Sequence, residues 1–476
     1  MATLQTSEKP KLVVEPSESK DTDEKGSSTD KSSQSSEDEE KRFLASGFVT
    51  MMSGAMIAPA LPELSRDLDM SEATAGLALS VFILAFAFGP MILGPLSEIY
   101  GRRPVWLISG LWYSVFNIMC GFSHNKGTMI AGRILSGFGG SVDFVISYPV
   151  LYDIWRPEER GKSIAINSVL PMLGPALGPF LGGVLTQAAG WRWLFWWAAI
   201  FNGVLVFVAI FLFPETSSAK ILGNKARRLQ KQTGAPYHTE YHAADSKLSE
   251  KLYVSLKRPV KMLFLQPILP LVSIYMSYNF GVLYAFLSTN SLLYTEKYHE
   301  DTLTSGLHYL ALAVGYTIAQ QGGGRLMDHM YKLLKKRHGG DAAVPEWRVP
   351  NMIPGSVLIP VGLLWYGWSA EARLHWIMPD IGAAIFGCGF ILSTVAMLSY
   401  LLDSLQKYTA SASAAGQLMR MIAGFAFPIF APAMLNKLGW GWTNTVFALI
   451  AIVLGIPGPL ILWRYGAKIR AIGKAL

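Results

Sequence analysis

The sequence predicts an all-α membrane protein, with twelve transmembrane helices in two six-helix bundles related by duplication. Three observations predict it. Of 476 residues, 51% are hydrophobic and only 16% charged, where a soluble domain carries about 25% charged residues. Apolar runs near the length needed to cross a bilayer, about 20 residues, recur from Phe43 onward. A short pattern of glycine, leucine and acid also returns after six such runs.

Residues 1–42 stand apart. They hold 7 Lys+Arg and 11 Asp+Glu with almost no aromatics, as in "SKDTDEKGSSTDKSSQSSEDEEKR". Such a stretch cannot bury enough apolar surface to offset its ordering entropy, so it reads as a disordered cytoplasmic tail. It has no apolar core of a signal peptide. The apolar runs fall at 43–60, 75–95, 105–122, 127–149, 163–188 and 191–213, then at 267–290, 304–323, 350–368, 375–401, 409–434 and 441–464. This divides the chain into an N-terminal bundle at 43–213, a basic cytoplasmic linker at 214–266, a C-terminal bundle at 267–464 and a cytoplasmic tail at 465–476. The first run, "FLASGFVTMMSGAMIAPA", is short: 18 residues reach about 27 Å, against a core of about 30 Å.

Lysine and arginine set the expected orientation, because they concentrate in cytoplasmic loops. With the N-terminus inside, the inner segments and tails hold 33 of them and the six outer loops hold 6, one each. Both termini are therefore expected in the cytoplasm, and the net charge of +8 is a matter of topology that calls for no nucleic acid. Trp191, Trp193, Trp365, Trp368, Trp376, Trp440 and Trp442 lie beside the outer loops, where an interfacial aromatic belt belongs.

The repeat lies between runs 2 and 3 and again between runs 8 and 9. Gly94-x-Leu96-x-Glu98, in "GPLSEIYGRRP", matches Gly324-x-Leu326-x-Asp328, and basic residues follow both. Each copy reads as a turn on the cytoplasmic face. Glycine permits a tight turn, the carboxylate suits a helix N-terminus, and Arg102 and Arg103 suit acids or lipid phosphate across that face. Two halves carrying the same element at the same place are the usual plan of a secondary transporter.

With these motifs in place the chain resembles the major facilitator superfamily, and within it the twelve-span drug:proton antiporters of fungi. Gly94, Leu96, Gly101, Arg102 and Arg103 match that family's loop motif G-x-L-a-D-r-x-G-r-k, with Glu98 for the aspartate and Ile99 for the first basic residue. "RILSGFG" supplies Arg133, Gly137 and Gly139 of a second motif. "GPALGPFLGG" is similar to the antiporter motif of the fifth span, here Gly174, Pro175, Gly178, Pro179, Gly182 and Gly183. "PET", "KARRLQKQTG", "PEWRVP", "GLLWYGWSAEARLHW" and "LGWGW" extend the likeness over about residues 43–470. The resemblance implies that the fifth span contacts the opposite half and that Arg133 takes part in proton coupling. The glycines, spaced by four, form one bare stripe on a helix, which permits close helix packing; the prolines bend it.

Ionisable groups at membrane depth are costly and usually functional. Arg133, Asp143, Asp380 and Arg420 are the proton-coupling candidates, with His308 and Asp403 near span ends. Asp143 follows Arg133 by ten residues, which places it about 80° around and ~15 Å along the helix, so the two cannot pair directly. Gln417 lies one turn before Arg420, and Asn167, Asn279, Asn290, Gln320 and Gln321 are candidates to line a cavity.

Enzyme chemistry finds no support. There is no P-loop for ATP, no G-x-S-x-G elbow and no His/Cys cluster, and Cys120 and Cys388 form neither a metal spacing nor a disulfide framework. No cofactor is expected beyond a proton gradient as energy source, and no metal. The chain is expected to act as a monomer on a small-molecule substrate in a plasma membrane. Export of small, largely apolar organic molecules by proton antiport is the leading reading. Uptake or facilitated diffusion, and a carrier-like sensor without net transport, stay open.

Overall fold

The computed structural model describes residues 47–146, 160–234, 248–338, 345–405 and 409–472. Helices account for nearly all of them. Residues 47–56 form α1, and a 3-10 turn at Ala58–Ala60, carrying Pro59, leads into α2 (Leu61–Asp67). There follow α3 (Glu72–Tyr100), α4 (Arg102–Gly121), α5 (Lys126–Gly140, with 142–146 helical beyond a turn at Ser141), α6 (Arg160–Ala189) and α7 (Arg192–Leu212). Two amphipathic segments, α8 (Ser218–Thr233) and α9 (Leu248–Leu265), separate the halves. The second half holds α10 (Ile268–Leu292, with a π turn to Lys297), α11 (Thr302–Leu307) and α12 (Tyr309–His338). It continues with α13 (Met352–Glu371), α14 (Ile377–Ser404), α15 (Thr409–Gly455) and α16 (Pro457–Ile472).

Among the described residues eight helical segments are long and apolar enough to cross a membrane. One of them, Ala412–Ile472, is broken at Gly439 (φ 76°) and covers two crossings. The broken α1–α2 segment, α6 and α12 complete the twelve. In the first half α3 packs on α4 and α5, and α4 on α5 and α7. In the second, α13 packs on α14 and α15, α10 on α15, and α12 on α14. The halves meet through α3 against α15 and through α6 against α11 and α12.

Local chemistry sets the boundaries. The Ser71 side chain accepts the Thr74 N–H, Asn125 accepts that of Thr128 at 2.8 Å, and Asp301 that of Thr304 at 2.9 Å. Each is an N-cap, satisfying a donor the helix leaves unpaired. The repeated motif departs from expectation. Neither copy is a turn: Gly94–Glu98 lies inside α3, and 324–328 lie inside α12, which runs unbroken to His338. Leu, Met and Glu are good helix formers, and the helices run on through Gly94 in the first copy and through the glycines at 322–324 in the second. The break falls at Gly101 alone (φ 102°), a conformation suited to glycine. The side chains of Gly324, Leu326 and Asp328 lie outside the described residues.

The aromatic belt also divides. Trp193, Trp365, Trp368, Trp376 and Trp442 are exposed, as lipid-facing anchors should be, but Trp191 and Trp440 are buried. Trp191 turns inward because its indole N–H donates to Asp67 at 2.9 Å.

Candidate functional site

Three places bring the candidate residues together: the middle of the seam between the halves, and the two ends of the bundle. At the middle, Arg133 of α5 has no exposed surface. Its Nε donates to the Ala78 carbonyl at 3.1 Å and Nη2 to the Gly54 carbonyl at 3.2 Å. The guanidinium sits 4.3 Å from the Phe82 ring centroid and 5.9 Å from that of Phe195. Among the described residues no carboxylate pairs with it, and Nη1 has no hydrogen-bond partner. Tyr284, buried on α10 in the other half, lies within electrostatic reach of both Arg133 and Arg420. Arg420 donates to Gln417 and lies 5.1 Å from the Phe280 ring. Asn279, one residue before Phe280, is fully buried with both amide atoms unpartnered. The seam is thus two cations set among aromatic rings. Inside the second half a small cavity is lined by Val282, Phe286, Tyr366, Thr443, Asn444 and Phe447.

Asp143 is buried and apart from Arg133. Its Oδ2 accepts the Thr50 hydroxyl at 2.6 Å and its Oδ1 the Trp106 indole N–H at 2.9 Å. It therefore joins α1 and α4 to the end of α5. Asn167 has a side chain outside the described residues.

At the Arg102 end, the carboxylate at the α4 N-terminus is Glu215, not the expected Glu98. Glu215 accepts the Arg102 N–H at 2.8 Å and the Ser217 N–H at 3.1 Å, while Glu98 is exposed. Glu215 reaches the orphan donors because it lies three residues past the end of α7, which packs along α4. The Arg103 guanidinium donates to the Ile210 carbonyl. In the second half, Arg348 pairs with Asp403 at 3.1 Å and Arg470 with Glu346 at 2.9 Å.

At the Trp191 end the fifth-span motif divides its work. A Cβ on Gly174, Gly178 or Gly182 would stand 2.7 Å from Met51 Cβ, 2.4 Å from the Met52 carbonyl and 2.1 Å from the Met56 carbonyl. The stripe, with buried Pro175 and Pro179 within it, thus packs α6 on α1 of its own half. The expected contact of this span with the opposite half is present, but it falls to the last glycine of the motif rather than to the stripe. A Cβ on Gly183 would stand 2.8 Å from the Thr302 carbonyl and 3.2 Å from Gly306 Cα. One turn on, the Gln187 side chain donates to Asp301 at 2.9 Å and accepts the Leu303 N–H at 2.8 Å. Hydrogen bonds from Thr304 and Gln187 hold the Asp301 carboxyl below the usual range. The Trp191 indole, then Arg192, do the same for Asp67.

Asp380 belongs to this end too. Its Oδ1 accepts the Tyr294 hydroxyl at 2.7 Å, and its Oδ2 lies 2.8 Å from His308 Nδ1. His308 Nε2 lies 2.7 Å from Glu300. Gln187 and Glu300 were not singled out by the sequence, since an isolated polar residue near a span end carries no pattern of its own; Glu215 stood there only within "PET", with no role of its own.

Twelve crossings in two halves, with a charged seam, make this a multi-pass transporter rather than an enzyme. The chain belongs to the Major Facilitator Superfamily, whose family model matches residues 43–428. It is 38% identical over 418 residues to the "Probable efflux pump mfs2" of Aspergillus flavus, covering 87% of this chain and 98% of that protein. It is 40% identical over 430 residues to the "Efflux pump vrtL" of Penicillium aethiopicum, covering 90% and 84%. Among solved structures the D-xylose-proton symporter superposes with a TM-score of 0.66 at 15% identity, over 92% of this chain and 99% of that one. The human organic anion transporter MFSD10 (TETRAN) gives 0.59 at 16%, over 88% and 98%. At such identities these two speak for the fold alone.

Proposed function

We propose that the protein exports small, largely apolar organic molecules in exchange for protons, by rocking of the bundles at 43–213 and 267–464 about the seam. Arg133 is the observation that carries this reading. A guanidinium buried on two carbonyls and a phenyl ring, with no carboxylate beside it among the described residues, is a fixed cation at membrane depth. Such a charge favours deprotonation of neighbouring groups, so it suits a site that takes up and releases a proton. Its surroundings of Phe82, Phe195 and Tyr284, with Phe280 against Arg420, suit an apolar substrate. The relatives named efflux pumps support the direction. The sidedness of lysine and arginine places both termini in the cytoplasm, so that the Arg102 end is inner and the Trp191 end outer. A plasma membrane is the proposed location.

Within this reading Arg133, Asp143, Asp380 and Arg420 remain the coupling candidates. Gly94, Leu96, Glu98, Gly101, Arg102, Arg103, Gly324 and Asp328 belong to the inner gate. The test is flux of a fluorescent lipophilic dye in proteoliposomes under an imposed pH gradient. Antiport predicts dye accumulation that follows the gradient and collapses with a protonophore. Accumulation indifferent to the gradient would overturn it.

A further inference from the structure

The outer end holds a titratable cluster whose geometry demands a proton. His308 has 6% of its side chain exposed, Asp380 15% and Glu300 19%. Both ring nitrogens of His308 face carboxylate oxygens, at 2.8 Å and 2.7 Å. A neutral imidazole has one N–H and one lone pair. With both carboxylates ionised, a neutral ring would set a lone pair against an oxygen at hydrogen-bond distance. The observed contacts therefore require one further proton, on the ring or on a carboxyl. The surroundings suit a cation: the Tyr294 ring stacks on His308 at 3.6 Å and the Trp376 edge lies at 5.6 Å.

The cluster is wired to the contact between the halves. Glu300 and His308 bracket the six-residue α11, and their bond ties its two ends. Helix α11 is the element on which Gly183 and Gln187 of the first half rest. Asp301, held by Gln187, is the next residue after Glu300. The other titratable neighbours are accounted for. Tyr294 donates to Asp380, Tyr298 donates to the Leu374 carbonyl, and Tyr366 of α13 lies within electrostatic reach of Asp380. Lys297 is turned to Glu371 and the Ala370 carbonyl, and the His375 ring lies against Trp376 at 5.2 Å.

We propose that Glu300, His308 and Asp380 form a proton-binding site that closes the outer gate. Bound, the proton lets His308 bond both carboxylates and holds α11 in register with Gly183 and Gln187. When the proton leaves, one of the two contacts turns repulsive, the tie across α11 opens and the helix parts from α6. As the coupling step of an exporter this rests on the antiport reading above; as a gate it does not.

The test reads gate distance directly, without substrate or gradient. Spin labels are placed at Ala189→Cys on α6 and Leu307→Cys on α11, both exposed positions, in a Cys120→Ser, Cys388→Ser background. Distance distributions are recorded across the range in which histidine changes charge, about pH 5 to 8. The short-distance population should dominate at the acid end and fall toward the alkaline end. His308→Gln should leave that population constant across the range. Glu300→Gln, at the rim of the cluster, should move the midpoint to lower pH and serves alone if the histidine variant does not fold. Unshifted, pH-dependent distances in these variants would overturn the proposal, as would pH-independent distances in the unsubstituted protein. Absence of gradient-driven dye flux in the vesicle assay would instead overturn antiport while leaving a pH-gated distance intact.

Discussion

Glu215 closes over Gly101. Its Oε1 accepts the Arg102 N–H at 2.8 Å, and a Cβ on Gly101 would stand 2.3 Å from its Oε2. The glycine is thus required twice, by its φ of 102° and by the carboxylate that covers it. The second half has a related device: Gly439 (φ 76°) precedes Trp440, whose N–H donates to Glu371 at 2.7 Å. In both places a distant glutamate caps a helix that restarts after one residue.

Gly101→Ala should therefore destabilise the protein by more than its φ alone costs, about 1–3 kcal/mol for a strained residue. Glu215→Gln keeps an acceptor and loses only the charge-to-dipole part, on the order of 0.3–1 kcal/mol. Thermal unfolding in detergent, followed by size exclusion, should rank the alanine variant below the glutamine variant. Equal unfolding temperatures for both variants and the parent would refute this.

The neighbouring glycines Gly182 and Gly183 should separate folding from gating. Gly182→Ala drives a methyl into the Met56 carbonyl at 2.1 Å, inside the first half, and should lower the amount of folded protein. Gly183→Ala meets Thr302 of the second half at 2.8 Å, where the halves can shift apart, and should leave folding near normal while reducing outer closure. The label pair on α6 and α11 reads the second effect and expression level the first.

Arg133→Lys tests geometry at constant charge. A lysine is a point charge without the planar fork that reaches Ala78 and Gly54 together. A hydrogen bond to a charged group contributes about 1.5–3 kcal/mol, so gradient-driven flux should fall about tenfold or more at normal expression. Retained flux would mean that charge alone suffices.

Asp143→Asn removes one acceptor from a residue that receives Thr50 and Trp106. If Asp143 exchanges a proton during the cycle, gradient-driven accumulation should vanish while exchange of dye between the two sides persists. Full gradient-driven accumulation would confine Asp143 to joining α1 and α4.

Asp301 sets an acid limit. Its carboxyl titrates below the usual range because Thr304 and Gln187 hydrogen-bond it. A carboxylate depressed in the folded state contributes stability that is present above the ordinary aspartate value, about 3.9, and lost as pH falls through the folded value. The unfolding temperature should therefore drop below about pH 4, and Asp301→Asn should flatten that drop. An identical acid profile in the variant would remove Asp301 as its source. This fall lies well below the histidine range of the gate, so the two effects separate on one titration.

Much of the fold was legible because it rests on local properties. Run 105–122 became Arg102–Gly121 and run 191–213 became Arg192–Leu212, since length and hydropathy fix where a helix can cross. The eighth run, expected to end at 323, continued to His338 because strong helix formers carry the helix past its apolar part. At the site, Arg133, Asp143, Asp380 and Arg420 stood out as charges in apolar runs, yet nothing local named their partners.

The sequence by itself determined the number and order of the spans, the sidedness of lysine and arginine, and which helix carries a bare glycine stripe. Each depends on residues within a few turns of one another. The tertiary structure alone decided what those features touch. It set the stripe against α1, placed Glu215 rather than Glu98 on the α4 N-terminus, and brought His308 to Asp380 across 72 residues and Thr50 to Asp143 across 93. The reason is physical. A buried polar group must find a partner, but any helix packed beside it can supply one, and the packing of helices is not written in the spacing of residues along a single helix.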